Sequence, residues 1–219
     1  MLLPRCCPLC DVPGEAPCAA CRAGLRGAGQ LSPLRGLASV RALYAYEGGA
    51  RSLVLGLKYR NRRDATRWLG AQLVAVVPEP VEVITWAPTS ARRRGRRGFD
   101  QAELLARAAA RAAALPARGL LRRSSVGAQT GRGAGERLAG PEFIARRGVP
   151  DQVLLVDDVG TTGATLVAAA AALRGAGATA VHAVVVAWTP ARRARRDTGD
   201  SSSPDVALWA HNAPVPNGG

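Results

Sequence analysis

The sequence predicts an α/β protein, a parallel-centred sheet flanked by helices, with a small cysteine-rich unit ahead of it. Three observations carry this expectation. Short apolar runs suited to buried strands (Val81–Trp86, Val153–Val156, Val181–Trp188) alternate with stretches of helical periodicity. All five cysteines fall between Cys6 and Cys21, which marks off an N-terminal unit. Apolar residues make up 47% of the 219 residues and charged residues 21%, enough for a packed core and too apolar for wholesale disorder.

The elements follow in chain order. Gly24–Gly36 is glycine-rich and reads as a linker. Val40–Tyr46 reads as a strand, and Gly48–Tyr59 as a helix with Leu53, Val54 and Leu57 on one side. Asp64 is placed to cap a helix running to about Val77, with Trp68, Leu69, Leu73 and Val76 turned inward. The strand Val81–Trp86 ends at Pro88. Asp100 caps a helix through Leu115 that Pro116 stops, and Gly119–Leu121 suits a brief strand. Arg122–Gly140 lacks apolar periodicity and reads as a long surface loop, of a length that is usually functional or disordered. A strand at Val153–Val156, a helix at Gly163–Gly175 and a strand at Val181–Trp188 complete the domain. Beyond Pro190 the chain turns basic, then Ser- and Pro-rich, the composition of a disordered tail. The organisation expected is therefore 1–30 for the cysteine module and linker, 31–190 for the α/β domain and 191–219 for the tail.

Charge narrows the ligand class. Lys and Arg total 30 against 16 Asp and Glu, a formal charge of +14, and Lys58 is the sole lysine. Guanidinium forks match phosphate oxygens bidentately, so the bias suits phosphate ligands or nucleic acid; a base composition that favours arginine and alanine codons explains it equally well. Nine aromatic residues are few for a protein that stacks single-stranded bases. The first residues lack a long apolar stretch of the secretory type, and the most apolar segment, Ala164–Trp188, contains Arg174, His182 and two glycines. A soluble cytoplasmic protein without membrane insertion is the expectation.

The sharpest local signal is Val153-Leu154-Leu155-Val156-Asp157-Asp158-Val159-Gly160-Thr161-Thr162-Gly163-Ala164-Thr165. A buried strand delivers two adjacent carboxylates to its C-terminal edge, where ligands of open α/β sheets sit, and a Gly/Thr turn opens a helix. Backbone N–H groups there, with the Thr161, Thr162 and Thr165 hydroxyls, suit a phosphate. Asp157 and Asp158 would repel that phosphate; they suit sugar hydroxyls nearby, or Mg²⁺ held through water. A Walker A loop is excluded, since Gly-Lys-Ser and Gly-Lys-Thr are absent. A second constellation, Trp86 to Gln101, crowds Arg92, Arg93, Arg94, Arg96 and Arg97 into a glycine-broken turn after a strand end, with Phe99 as an apolar anchor. A third is Cys7-Pro8-Leu9-Cys10 and Cys18-Ala19-Ala20-Cys21, two C-x₂-C knuckles that can close a Cys₄ site on structural Zn²⁺. Cys6 is an alternative to Cys7 in the first knuckle. His182, inside an apolar strand, reads as a satisfied core residue.

The segment from Val153 to Thr165 resembles the signature loop of type I phosphoribosyltransferases, which bind 5-phosphoribosyl-1-pyrophosphate (PRPP). The basic turn Arg97-Gly98-Phe99-Asp100-Gln101, with Asp where the family has Asn, and the cysteine-rich start narrow the likeness to the ComF family of competence-associated, phosphoribosyltransferase-like proteins. Gln129 and Arg137 match the spacing of a Gln and an Arg in that family's flexible loop. The resemblance implies that Asp157 and Asp158 contact the ribose and that Gly160, Thr161, Thr162, Gly163, Ala164 and Thr165 wrap the 5′-phosphate. On the same reading Arg94, Arg96 and Arg97 face the pyrophosphate and Gln129 to Arg137 form a closing flap. It further implies a PRPP- and Mg²⁺-dependent phosphoribosyl transfer to an acceptor the sequence does not name. The alternative it offers is a non-enzymatic factor that handles single-stranded DNA beside a competence helicase.

Overall fold

The computed structural model describes residues 5–77, 79–124 and 141–189. Five strands form the main sheet: β1 (Gly27–Gln30), β2 (Ser39–Ala45), β3 (Val83–Trp86), β6 (Gln152–Gly160) and β7 (Ala180–Trp188), in the order β1-β2-β7-β6-β3. All neighbours run parallel except the edge pair β1–β2. Two short strands, β4 (Leu121–Arg123) and β5 (Phe143–Ala145), make a separate antiparallel ribbon. The helices are α1 (Ala19–Ala23), α2 (Gly48–Tyr59), α3 (Thr66–Ala75), α4 (Ala91–Arg97), α5 (Gln101–Ala113) and α6 (Ala164–Gly175).

Alternation along the central strands builds two cores. Ile84, Leu154, Val156, Val184 and Val186 face α2, α3 and α5, meeting Leu53, Leu57, Leu69, Leu73 and Leu105. Their neighbours Val83, Val153, Leu155, Val181, Ala183 and Val185 face α6 and the ribbon, meeting Leu166, Ala170, Leu173 and Leu121. Strands covered on both faces need continuous apolar runs, which is why these were readable in the sequence. The α3–α5 contact is close because small residues line it: a Cβ on Gly70 would stand 2.6 Å from the Ala108 carbonyl carbon.

Several expectations are corrected here. Gly27–Gln30, read as linker, is an edge strand paired to β2 through Gly27↔Tyr44 and Gly29↔Ala42. Asp64 does not cap α3, whose N-cap is Ala65. The strand read as Val153–Val156 runs on to Gly160, held by pairing of Asp157 with Val185 and Gly160 with Trp188. The arginine turn is a helix, α4, with the Ser90 hydroxyl accepting from Arg93 N–H at its start and Gly98 left-handed (φ 76°) at its end. The start of the long loop is ordered into β4, and β5 returns opposite it. Residues 125–140, including Gln129 and Arg137, and the tail from 190 onward lie outside the described residues. His182 is buried and meets the Ser39 hydroxyl at 2.9 Å through Nδ1, as expected of a satisfied core histidine. No helix among the described residues is long and apolar enough to cross a membrane.

Candidate ligand pocket and cysteine centre

The pleat of β6 decides where its two carboxylates go. Asp158 shares the face of Leu154 and Val156, toward α2, whereas Asp157 shares that of Val153 and Leu155, toward the ribbon. Lys58, in the last turn of α2, accordingly meets Asp158: its Nζ lies 2.9 Å from Oδ1, with both side chains largely buried. Asp157 Oδ1 accepts the backbone N–H of Asp158 at 2.8 Å. Burial pushes the Asp157 carboxyl well above the usual carboxylate range, and repulsion from Asp158 adds to it; the Asp158 N–H and Lys58 offset only part.

Both carboxylates open into a cavity of about 310 Å³ at the carboxyl edge of β3 and β6. Its cations come from three elements: Lys58 from α2, Arg93 and Arg97 from α4, and Arg123 from β4. Arg97 ties the wall together, donating to Gln101 Oε1 at 2.9 Å and to the Tyr59 hydroxyl at 3.3 Å, with its guanidinium 4.9 Å from the Tyr59 ring centre. Asp100 fixes the turn between β3 and α5: Oδ2 accepts from Thr89 N–H at 2.7 Å and Oδ1 from Ala102 and Glu103 N–H. Burial raises its carboxyl all the same, against those three backbone donors. Gln101 is 2% exposed and lines the cavity, yet its Nε2 has no hydrogen-bond partner among the described residues. A buried amide donor without a partner costs about 1–3 kcal/mol, so a ligand oxygen there would remove a penalty.

The structure sorts the sequence candidates. Of the glycine–threonine loop, Thr165 lines the cavity; Thr161, Thr162 and Ala164 are exposed beside it. Gly160 is packed under the Trp188 ring, and Gly163 is left-handed (φ 77°) at the start of α6, where Leu34 would meet any Cβ at 2.4 Å. Among the arginines, Arg97 lines the cavity, Arg96 a neighbouring one, and Arg94 neither; Arg94 reaches Glu103 at 3.4 Å instead. Sequence reading missed Arg93, Arg123, Gln101 and Lys58. The helical period of α4 would have found Arg93, which shares a face with Arg96 and Arg97 at i, i+3 and i+4. For Lys58 the signal was its singularity: one ammonium in a chain that otherwise uses arginine for every cation.

The four cysteines Cys7, Cys10, Cys18 and Cys21 converge, with all four sulfurs within 4.8 Å of one another. The Cys10 and Cys18 sulfurs are 3.7 Å apart, close to the roughly 3.8 Å that tetrahedral zinc with ~2.3 Å bonds requires. The donor set therefore fits a soft or borderline tetrahedral cation. Cys6 is outside the group. Burial raises the Cys7 thiol, but N–H donors from Cys18, Leu9 and Cys10 outweigh it and bring it to about 6. The hydrogen bond with Cys18, then burial, pushes Cys21 up to about 12. This unit is clamped onto α2: Arg62 Nη1 donates to Pro8 O at 3.1 Å and pairs with Asp11 Oδ1 at 2.7 Å. Leu9 and Leu25 pack on the α2-side core, and Arg22 lies 5.9 Å over the Trp68 ring.

Fold and pocket together define an α/β protein with a cavity at the carboxyl edge of its sheet, where carboxylates and guanidinium groups sit side by side. Residues 101–215, a little over half of the chain, match the phosphoribosyl transferase domain family, and the chain belongs to that family. Among solved structures it is similar to the glutamine PRPP amidotransferase of B. subtilis complexed with ADP and GMP (24% identity, 60% of this chain and 30% of that one, TM-score 0.43). A structure described as the allosteric regulatory enzyme of purine biosynthesis gives 25% identity, the same coverage and a TM-score of 0.44. The purine phosphoribosyltransferase of Pyrococcus horikoshii Ot3 gives 18% identity over 59% of this chain and 74% of that one, TM-score 0.33. The chain thus spans about 30% of the length of the first two. No curated protein sequence matches it.

Proposed function

We propose that the chain binds PRPP with Mg²⁺ and transfers its phosphoribosyl group to an acceptor, the ComF-like cysteine module serving as a structural zinc site. The observation that carries this reading is the pairing of Asp157 and Asp158 with Lys58, Arg93, Arg97 and Arg123 in one cavity, in a chain of the phosphoribosyl transferase domain family.

The two carboxylates accept hydrogen bonds from the ribose hydroxyls. Thr165 and the turn Thr161–Ala164 hold the 5′-phosphate at the start of α6. In the transfer, the acceptor's electron pair forms the new bond to ribose C1 while the C1–oxygen bond breaks, its electron pair leaving with pyrophosphate. A proton released by the acceptor goes to the departing pyrophosphate or to solvent. Arg93, Arg97 and Arg123 stabilise the charge that develops on the leaving group, the largest service a pre-built cationic wall can offer. The Gln101 amide gains the oxygen it lacks. Carboxylate oxygens suit a hard cation, so Asp157 and Asp158 would hold Mg²⁺, directly or through water, and when bound it would add charge neutralisation at the pyrophosphate. Gln129 and Arg137, which lie outside the described residues, keep the ligand-contacting role that the resemblance implies. For the DNA-handling alternative no observation of the fold or the comparisons speaks.

Calorimetric titration of PRPP with Mg²⁺ into the zinc-loaded full chain, beside the Asp157→Asn/Asp158→Asn variant, tests this reading. It expects binding by the wild type and a loss of at least about a hundredfold in the variant, two charged hydrogen-bond sets at about 1.5–3 kcal/mol each. Equal affinity in both proteins, or none in either, would overturn it.

A further inference from the structure

A second cavity, of about 550 Å³, adjoins the first and shares Lys58, Tyr59, Arg93 and Arg97 with it. It extends away from the carboxylates to Asn61, Arg96 and Phe99. Three features set its chemistry. First, no carboxylate lines it, whereas Asp100, Asp157 and Asp158 all line its neighbour. Lys58 is already matched by Asp158, but the guanidinium groups of Arg93 and Arg96 have no acidic partner among the described residues. Uncompensated cations converging on a concave surface favour an anion there.

Second, its walls are flat. Tyr59 is 65% exposed, an unusual amount for a large ring, and Arg97 lies 4.9 Å from its centre. Phe99 is covered by Arg63 at 4.0 Å. Ring faces and guanidinium planes both stack on planar π-systems, and covering Tyr59 would remove apolar surface from water. Third, Asn61 contributes an amide donor and acceptor from a left-handed residue (φ 52°) that follows Arg60, the C-cap of α2. The volume lies in the range of small-ligand sites, about 300–1,000 Å³.

We infer that this cavity is the acceptor subsite and takes a planar aromatic ring bearing an anionic group, in preference to a neutral ring. The inference rests on the phosphoribosyl reading for the word acceptor; the ligand class rests on the cavity alone. Arg96 reads the anion, since it lines this cavity and not the first, and Tyr59 and Phe99 flank the ring.

Phenyl phosphate and benzoate serve as probes, with phenol as the ring without charge and inorganic phosphate as the charge without a ring. Each is titrated into the zinc-loaded full chain, with and without saturating PRPP and Mg²⁺. Phenyl phosphate, benzoate or both should bind at least about tenfold more tightly than phenol and phosphate, and PRPP should not displace them; which anion binds better tells phosphate from carboxylate. Arg96→Ala should weaken the probe about tenfold, one charge-assisted contact, while PRPP affinity moves less than about twofold. Tyr59→Phe, which keeps the ring, should retain probe binding. Competition between probe and PRPP, or an Arg96→Ala variant that binds the probe like wild type, would overturn the inference. If PRPP fails to bind while the probes bind through Arg96, the phosphoribosyl reading falls and the anionic-aromatic site stands.

Discussion

Asp157 illustrates how a single side chain can be at odds with the stability of the fold that holds it. Its carboxyl is raised by burial and by Asp158, so ionising it costs more in the folded chain than in the unfolded one. The sign follows: stability from this residue is complete below the unfolded carboxylate pKa, about 3.9, and is lost as pH rises through the raised folded value. Asp157→Asn keeps an oxygen for the Asp158 N–H and removes the charge. The variant should therefore melt higher than wild type at neutral pH, by about 2–4 °C for each kcal/mol relieved, and show no advantage near pH 3. A melting temperature below wild type at pH 7 would contradict this. The arginines of α4 give a second residue-scale prediction. Arg93→Ala should weaken PRPP binding about tenfold or more, whereas Arg94→Ala, which loses only a long, exposed pair with Glu103, should change it less than about twofold. Calorimetry on the two variants separates them; the reverse order would mean that α4 presents its other face.

At the scale of elements, what the sequence revealed and what it hid have physical causes. Central strands are buried on both faces, so β6 and β7 stand out as apolar runs; α5 carries its own cap in Asp100 and its own stop in Pro116. The Gly/Thr signature placed the carboxylates at the right strand end. Hidden were the elements whose order comes from partners. β1 is four residues of Gly, Ala and Gln with no strand signature of its own, and exists because the β2 edge is there to pair with. α4 looked like a loop because five cations repel, yet arginine is a good helix former and Ser90 and Gly98 supply both caps. Reading it as a turn hid the periodicity that selects Arg93, Arg96 and Arg97. Lys58 and Asp158 lie 100 positions apart in the chain, and only the fold brings them together. The α3–α5 contact yields the element-scale prediction. Gly70→Ala would drive a methyl against the Ala108 backbone, which cannot rotate away, and should cost about 1–3 kcal/mol of overpacking. Thermal melts should show a drop of several degrees; an unchanged midpoint would mean the helices part at no cost.

Across the whole molecule, the cysteine module and the pocket are mechanically joined. Arg62 grips the first knuckle at Pro8 and Asp11, four residues after Lys58, while its stem lies beside Gly56 of α2. Removing the zinc proposed for the four cysteines should thus loosen more than the knuckles. Hydrogen exchange after chelation should accelerate through Arg5–Arg26 and also through α2, with PRPP affinity falling about tenfold as Lys58 and Tyr59 lose their anchor. Exchange confined to the cysteine module would contradict the coupling.

The sole lysine offers the most direct measurement of the central assignment. Acylation of Lys58, followed by peptide mass spectrometry with the N-terminal amine as the internal reference, reads a single side-chain amine, set on the wall that the two cavities share and paired with Asp158 of the first. With Mg²⁺ and PRPP at ten times the dissociation constant, Lys58 should be modified at about a tenth of its free rate, since about a tenth of the sites stay open. An unchanged rate at Lys58, with the reference amine equally unchanged, would mean that PRPP does not occupy the cavity between α2, α4 and β6.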